Sequence, residues 1–375
     1  MKRSKPPFRA DHVGSLLRPE VIKEARQKFA DGKIDAGARK AVEDQEIVRV
    51  IKKQEDAGLQ AVTDGEFRRS WWHLDYLWGL DGCERYIMDQ GMAFSGMNTR
   101  AEGVRCTSKV TYSTHPMIDH FRFVQANTDR LAKISIPAPS AIYGRTGRKA
   151  LPESVYPELE EFFDDLGAAY AKSVRDFADN GCRYLQLDEV FIAMACDEQY
   201  REGVRANGDD PQTMTEKYAD GINAAMSDIP DDMTITMHLC RGNYRSTFMG
   251  SGGYEPVADI LFNRINVHGY FMEYDTDRAG GFEPLRLVPK DRIVVLGLVT
   301  SKSGAMESRA DVLRRIEEAA KFIDIDQLCL SSQCGFASSE EGNTLSEDEQ
   351  WKKLEFIVSI AEEVWGRTSP ALSPA

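Results

Sequence analysis

Eight short apolar runs recur along the chain and alternate with longer amphipathic segments. The runs are FRADHVGS (8–15), AVTDGE (61–66), AKISIPA (132–138), YLQLDEV (184–190), ITMHLC (235–240), GYFMEY (269–274), RIVVLGLVT (292–300) and QLCLSSQC (327–334). Short apolar runs separated by helical patterns are typical of parallel strands that are joined by helices. Eight such βα units predict an α/β protein with a (β/α)₈ TIM barrel.

Helical patterns fill the intervals between these runs, and several begin with Ser, Asp or Pro, which favour the first turn of a helix. They span residues 38–58, 153–180, 211–227, 308–323 and 346–365. Barrels of this class commonly occupy 250 residues or more as one unit. We therefore expect residues 1–375 to form one barrel domain.

Two stretches do not fit a minimal barrel. Residues 67–131 are rich in Trp, Tyr, Gly and Thr, and the alternation in VRCTSKVTY (104–112) predicts an antiparallel hairpin inserted after the second strand. We expect this insertion to form a lid or a rim. Residues 241–256 contain four glycines and little periodicity, which predicts a mobile loop after the fifth strand.

The charge and the cysteine content restrict the class of partner. The 47 Lys and Arg residues against 60 Asp and Glu give a net charge of −13, which argues against nucleic-acid and anionic-membrane surfaces. The sequence has neither an apolar stretch of transmembrane length nor a secretory signal pattern. Seven cysteines in a chain of this length do not indicate a disulfide framework. We expect a cytoplasmic protein that binds small molecules.

Polar residues end three of the predicted strands in an unusual combination. His238 and Cys240 end the fifth run, Glu273 ends the sixth, and Cys334 ends the eighth. Residues i and i+2 of a strand point to the same side, so the first two can face one point. Active sites of such barrels lie at the carboxyl ends of the strands, where the other two would approach.

One imidazole, two thiolates and one carboxylate suit Zn²⁺, which accepts nitrogen, sulfur and oxygen ligands. The alternative is that both cysteines are small core residues and His238 is a hydrogen-bonded barrel histidine. For an isolated His-x-Cys pair that alternative would be preferred. The carboxylate and the second cysteine at other strand ends favour a zinc site.

The sequence resembles the cobalamin-independent methionine synthases, and specifically short members that correspond to the carboxyl-terminal, zinc-bearing barrel. The resemblance covers nearly the whole chain. Its motifs are HVGSLLRP (12–19), DGEFRR (64–69), QLDEV (186–190), HLC (238–240), Glu273 within FMEYD, GLVTSK (297–302) and SSQCG (331–335). It implies a zinc ion held by His238, Cys240, Glu273 and Cys334, and methyl transfer to the sulfur of homocysteine.

The same resemblance implies an amino-acid clamp near the metal. Glu66 and Asp188 would bind the α-ammonium group, and we also assign Asp188 to the catalytic residues. Gly14 and Ser15 would bind the α-carboxylate. Without the resemblance, an ordinary turn is an equally good explanation of Gly-Ser. The acids that end the fourth run are a stronger signal, because a buried acid needs a partner.

Two further positions concern the methyl donor, for which the resemblance implies methyltetrahydrofolate or a related compound. Aligning IPAPSAIY by its first proline places Tyr143 where long members use a tryptophan to stack on the pterin. Lys302 falls at the position of a histidine that protonates the departing nitrogen, and we assign it as catalytic. A lysine of ordinary pKa ~10.4 is a weaker acid than histidine for this step.

The segment FRRSWWHLDYLW (67–78) places two arginines beside three tryptophans. It predicts either a rim in which Arg68 and Arg69 bind an anion, or a packed insertion. For Trp71 and Trp72 individually, packing is the preferred interpretation.

Two other functions remain open at this point. Relatives on this barrel add coenzyme M to epoxides, a thiol alkylation that needs no amino-acid clamp. A barrel with structural zinc could instead serve as a binding module, in which case protein ligands would fill the coordination sphere.

Overall fold

A computed structural model describes residues 3–366, and its core is a parallel sheet buried on both faces. The strands are β1 (Ala61–Val62), β2 (Asp81–Ile87), β3 (Ala93–Phe94), β4 (Met97–Asn98), β5 (Glu102–Thr111), β6 (Leu131–Ala132), β7 (Ile134–Pro137), β8 (Tyr184–Glu189), β9 (Thr234–Leu239), β10 (Gly269–Glu273), β11 (Ile293–Val299) and β12 (Leu328–Ser332). Strands β7 to β12 pair in chain order, each parallel to the next. Every residue of β8, β9 and β11 is buried, as expected for strands covered by helices.

Each of the eight predicted apolar runs contributes parallel pairing to this core. Strand β1 pairs in parallel with β6, which is separated from β7 only by Lys133. The first run forms a parallel bridge from Ala10 to Leu330 of β12. Its next residues reach the second run, where the Thr63 hydroxyl donates to the Gly14 carbonyl at 2.7 Å. The α/β class and the parallel strands are thereby confirmed.

Helices connect these strands, and the predicted segments coincide with the longest of them. They are α1 (Glu20–Ala30), α2 (Ala36–Asp56), α3 (Leu74–Leu77), α4 (Met117–Ala126), α5 (Ala141–Thr146), α6 (Leu159–Asp179), α7 (Phe191–Met194), α8 (Glu198–Ala206), α9 (Pro211–Ala225), α10 (Arg309–Ala319) and α11 (Glu347–Trp365). Asp35, Asp210, Ser308 and Ser346 cap α2, α9, α10 and α11 with their side chains. Helix α6 begins six residues later than predicted, just after Pro157.

The stretch between β1 and β6 contains the expected hairpin. Strands β2 and β5 pair antiparallel, and in β5 the buried Val104 and Cys106 alternate with the exposed Arg105 and Thr107. Strands β3 and β4 form a second, short antiparallel pair. No helix within residues 3–366 combines the length and apolar character needed to cross a membrane.

Candidate metal centre

The sheet brings the four predicted ligands to one point at the carboxyl ends of its strands. His238 lies near the end of β9 and Cys240 directly follows that strand. Glu273 is the last residue of β10, and Cys334 follows β12 by two residues. One ligand atom from each side chain lies within 4.8 Å of the others, and all four residues are buried. The i, i+2 geometry inferred from the sequence therefore holds for His238 and Cys240.

The donor set fits a tetrahedral metal ion. The Cys240 and Cys334 sulfurs are 3.7 Å apart, too far for a disulfide. Tetrahedral zinc with Zn–S bonds of about 2.3 Å would separate two sulfurs by about 3.8 Å. Both ring nitrogens of His238 are buried without a hydrogen-bond partner among residues 3–366. A buried imidazole rarely leaves both nitrogens without a hydrogen bond, and here a ring nitrogen is available to bind a metal ion.

The surroundings of Cys334 favour its thiolate. The hydrogen bond between the Cys240 and Cys334 sulfurs and the neighbouring His238 hold the pKa of Cys334 well below its usual range despite burial. The thiolate is the nucleophilic and metal-binding form of cysteine.

Glu273 is held from outside the cluster by groups that the sequence pattern did not single out. The Arg241 backbone N–H donates to Oε1 at 3.2 Å, and the Arg278 guanidinium donates to Oε2 at 3.3 Å. The Arg241 side chain is fully buried and stacks over the Tyr254 ring at 4.0 Å. Its position directly after Cys240 is the signal that could have identified it.

Three residues of the cluster, His238, Cys240 and Cys334, line a pocket with apolar walls. Aromatic side chains supply most of these walls, namely Trp71, Trp72, Phe94, Phe191 and Tyr244. Trp71 stacks on Tyr244 with their ring centroids 6.1 Å apart, and its indole N–H donates to Glu102 at 2.7 Å. Trp71 is therefore packed against its neighbours, as in a packed insertion, and it also lines the pocket, as a rim residue would.

Glu66 and Asp188 line the same pocket. Ser135 donates to Glu66 Oε1 at 2.9 Å, whereas Glu66 Oε2 is buried without a hydrogen-bond partner in the described chain. Gln186 donates to Asp188 at 2.7 Å. Burial raises the pKa of Glu66 to about 7 and that of Asp188 to about 6. Glu66 Oε1 also lies within ion-pair distance of the Arg69 guanidinium, at 3.6 Å, so only Oε2 is left without a partner.

The neighbouring Glu189 has a structural role. Ser140 donates to one of its oxygens at 2.5 Å, and the backbone N–H groups of Phe191 and Ile192 donate to the other at 2.6 and 2.8 Å. Its carboxylate thus caps α7, in contrast to that of Asp188.

The Gly-Ser turn lies against the segment that carries Cys334. Ser15 lines the pocket, and its hydroxyl accepts from the Ala337 N–H at 3.3 Å. A Cβ atom at Gly335 would stand only 1.9 Å from the Ser15 hydroxyl oxygen, so any larger residue there would force the Ser15 side chain to move. Gly14 has φ +141°, which also favours glycine.

Two residues assigned to the methyl donor are not in the wall of the metal pocket. Tyr143 lines a neighbouring groove, packs against Phe163 and donates its hydroxyl to Asp209 at 2.9 Å. The Lys302 amino group is buried with no hydrogen-bond partner in residues 3–366. It interacts electrostatically with Cys240 and Cys334, although it is not among the residues that line the pocket.

The two arginines expected at an anion-binding rim bind groups of the protein instead. Arg68 forms ion pairs with Asp44 and Glu43 of α2, at 2.5 and 3.5 Å. Arg69 is 2% exposed and donates to the Ser135 carbonyl at 2.7 Å. The prediction of an anion-binding fork at these positions was wrong, because buried guanidinium groups need acceptors that the fold supplies.

Comparisons with known proteins agree with this geometry. The sequence profile described as "Cobalamin-independent synthase, Catalytic domain" matches residues 8–363. The chain is 50% identical over 366 residues to YxjH of Bacillus subtilis (strain 168), covering 97% of this chain and 96% of that protein.

A solved structure from Listeria monocytogenes, titled a putative vitamin-B12 independent methionine synthase, is 38% identical with a TM-score of 0.77. That likeness covers 97% of this chain and 100% of the Listeria chain. The 5-methyltetrahydropteroyltriglutamate–homocysteine methyltransferase of Listeria innocua is 22% identical over 348 residues, or 91% of this chain and 41% of that enzyme. The chain belongs to the family of the cobalamin-independent synthase catalytic domain.

Proposed function

We propose that the protein is a zinc-dependent methyltransferase that moves a methyl group to the thiol of homocysteine and forms methionine. The observation that carries this proposal is that Glu66 and Asp188 line the same pocket as His238, Cys240 and Cys334, three of the four residues of the cluster. A metal that activates a sulfur atom and acids that bind an ammonium group are what a thiol amino acid requires. The methyltransferase activity of the long Listeria innocua relative, as its name gives it, supports the same reaction.

The four ligands would hold one Zn²⁺ ion. When bound, zinc would keep a substrate thiol deprotonated near pH 7, where a free thiol of pKa ~8.5 is mostly protonated. Two cysteinates and one glutamate give the centre a net negative charge, which keeps a neighbouring sulfur electron-rich. Neutral ligands would better suit a Lewis-acid hydrolase.

The chain's own residues would orient homocysteine. Glu66 Oε2, which has no internal partner, and Asp188 accept hydrogen bonds from the α-ammonium group. Ser15 and the N–H groups around Gly14 bind the α-carboxylate. This set favours homocysteine over coenzyme M, because a sulfonate at Glu66 and Asp188 would bring like charges together.

The methyl donor would approach from the groove that Tyr143 lines. We assign Tyr143 to contact with the donor and Lys302 to protonation of the leaving atom, with a 5-methyltetrahydrofolate-type compound as the donor. If the lysine has this role, Lys302→Ala lowers transfer from a folate donor more than from a sulfonium donor. Equal losses with both donors would remove the assignment.

The proposal also includes the architecture. We infer that the parallel strands and the first run close into one (β/α)₈ barrel domain over residues 1–375, with the 67–131 insertion rising above its carboxyl end. Seven free cysteines fit a reducing compartment, so we place the protein in the cytoplasm.

The deciding experiment incubates zinc-loaded protein with homocysteine and a panel of methyl donors, and measures methionine by mass spectrometry. Coenzyme M replaces homocysteine in a parallel series. Methionine formation from at least one donor is expected. Methylation of coenzyme M with no methionine would favour the alternative thiol alkyltransferase. X-ray absorption adds a readout that needs no turnover, since homocysteine should raise the number of sulfur atoms around zinc.

A further inference from the structure

The metal pocket meets the neighbouring groove at a single arginine and a methionine. The pocket has a volume of about 70 Å³. At about 10–15 Å³ for each water molecule, it holds roughly five waters, which is the scale of a small amino acid. The groove is far larger, at about 1200 Å³, and Arg145 and Met92 are the residues whose side chains line both. A second substrate that reaches the metal from the groove must pass Arg145.

The charge of Glu102 acts on the Arg145 guanidinium, but the two groups form no ion pair. Arg145 lies on α5, just beyond the carboxyl end of β7. Its Nη1 donates to His73 Nε2 at 2.8 Å and its Nη2 donates to the Glu102 carbonyl at 2.8 Å. Within residues 3–366 it forms no ion pair with a carboxylate, and its Nε is buried without a partner. Arg68 and Arg69, by contrast, both lie within ion-pair distance of glutamates.

The hydrogen bond to His73 fixes the tautomer of that ring. A guanidinium can only donate, so His73 Nε2 is the acceptor and Nδ1 carries the proton of the neutral imidazole. Burial and the charge of Arg145 hold the pKa of His73 well below its usual range, so the ring stays neutral. His73 Nδ1 is buried and has no partner in the described chain. Two N–H donors on adjacent pocket-lining side chains therefore lack acceptors.

We propose that Arg145 and His73 form the binding site for a carboxylate of the second substrate, the methyl donor. One guanidinium charge and one neutral N–H match a monoanion better than a doubly charged phosphate. The ammonium and carboxylate of homocysteine already have partners at Glu66, Asp188 and Ser15. This inference rests on the proposed function for the identity of the donor, whereas the anion site itself stands on the geometry.

The stacked aromatic neighbourhood makes the site testable by direct binding. Trp72 lies against His73 with ring centroids 4.4 Å apart, so a ligand at His73 should change tryptophan fluorescence. Benzoate and benzamide are probes of nearly equal shape, and only benzoate carries a negative charge. We expect benzoate to bind the zinc-loaded wild-type protein with saturation and to bind more tightly than benzamide.

Variants assign the effect to the two side chains. Arg145→Gln should weaken benzoate binding by about 10- to 100-fold, as for loss of a charged hydrogen bond, and should leave benzamide binding within twofold. Arg145→Lys should lose less, because the charge remains. His73→Phe keeps the aromatic ring and should weaken benzoate about fivefold. Arg122→Gln, an exposed arginine paired with Asp119 on α4, is the matched charge control and should bind as the wild type does.

Steady-state kinetics identifies which substrate uses the site. With the donor that supports transfer, Arg145→Gln should raise the KM for the donor at least tenfold and leave the KM for homocysteine within about twofold. A rise in the KM for homocysteine instead would overturn the assignment to the donor. Equal benzoate affinity in wild type and Arg145→Gln, or no benzoate binding, would overturn the anion site. If no donor yields methionine while benzoate binding still depends on Arg145, the proposed function fails and the anion site survives.

Discussion

The two ends of the parallel strands both bury charged groups, but they treat them differently. At the amino end, Lys133 donates to Asp11 at 3.2 Å and to the His12 carbonyl at 2.5 Å. The Tyr184 hydroxyl and the Phe8 N–H donate to the other Asp11 oxygen at 2.8 and 3.0 Å. At the carboxyl end, both nitrogens of His238 and one oxygen of Glu66 have no partner within the described chain.

This difference separates a structural charge cluster from a binding site. Burial alone does not distinguish them, because Asp11, Lys133, His238 and Glu66 are all 1–3% exposed. Complete hydrogen bonding indicates that a buried charge serves stability, whereas unused donors and acceptors on residues that line a pocket leave positions for a ligand to complete the set. Substitutions at the two ends should therefore change different observables.

The largest effect is expected at the metal cluster. Cys240→Ser and Cys334→Ser should lower bound zinc from about one per chain to a small fraction, because zinc binding couples to its thiolate ligands. Methyl transfer should fall by at least about 100-fold. Metal analysis of dialysed protein measures the first effect and methionine formation the second. Cys182→Ser, at a buried cysteine distant from the cluster, is the control. Full zinc retention in both cluster variants would refute the site.

The next largest effect is on stability at the opposite end. Asp11→Asn leaves the Lys133 ammonium buried without its counter-charge and should lower the free energy of unfolding by about 3–5 kcal/mol. Zinc content per folded chain should be unchanged. Urea titration followed by circular dichroism measures the stability. Loss of zinc at unchanged stability would show that the two ends are not separate in function.

Substitution of Glu66 should change stability in the opposite direction to substitution of Asp11. The Glu66 pKa of about 7 lies above the ordinary value of 4.5, so the folded state binds the proton more tightly than the unfolded chain. This contribution to stability is full below pH 4.5 and is lost as the pH rises through 7. Glu66→Gln should therefore raise the free energy of unfolding at pH 8 by on the order of 1–3 kcal/mol. Unfolding curves at pH 5 and pH 8 test this, and destabilisation at pH 8 would contradict it.

The same carboxylate should control substrate binding. In the wild type, kcat/KM for homocysteine should fall below about pH 7 as Glu66 becomes protonated and loses its attraction for the ammonium group. Glu66→Gln should raise the KM for homocysteine about 10- to 100-fold at pH 8. It should also remove part of the acid limb of the profile. An unaltered acid limb would assign that limb to another group.

The smallest effect is expected at Tyr143. Its hydroxyl donates to Asp209 and its ring faces Phe163, outside the metal pocket. Tyr143→Phe keeps the ring and should change kcat/KM for homocysteine by less than about twofold. A tenfold loss would mean that the hydroxyl takes part in the chemistry.

The sequence predicted the cluster of His238, Cys240, Glu273 and Cys334 because strand geometry determines the direction of their side chains. His238 and Cys240 differ by two positions at the end of a strand, and Glu273 ends the neighbouring strand. Once the parallel order of the strands is assumed, their register determines where these side chains lie. The amphipathic helices and the β2–β5 hairpin were predictable for the same reason, since their periodicity is visible in the residues.

Helical and loop residues were less predictable. Tyr143 and Arg145 are two residues apart on α5, which places their side chains about 200° apart around the helix axis. Arg145 lies on the side of the helix that faces the pocket, so Tyr143 faces the groove. Alignment on the preceding proline could not show which of the two side chains would face the pocket. The hydrogen bond from Arg69 to the Ser135 carbonyl could not be predicted from the sequence either, because the two residues are distant in the chain.

The contact between Ser15 and the segment that follows Cys334 joins the first apolar run to the last. Within the cluster, 94 residues separate Cys240 from Cys334, so the site forms only when distant parts of the chain meet. During synthesis, a ribosome adding about 5–20 residues each second exposes His238 and Cys240 several seconds before their partner emerges. Until Cys334 emerges, the nascent chain lacks one of the two cysteines of the cluster, so the complete set of four side chains forms only after the last apolar run has been synthesised.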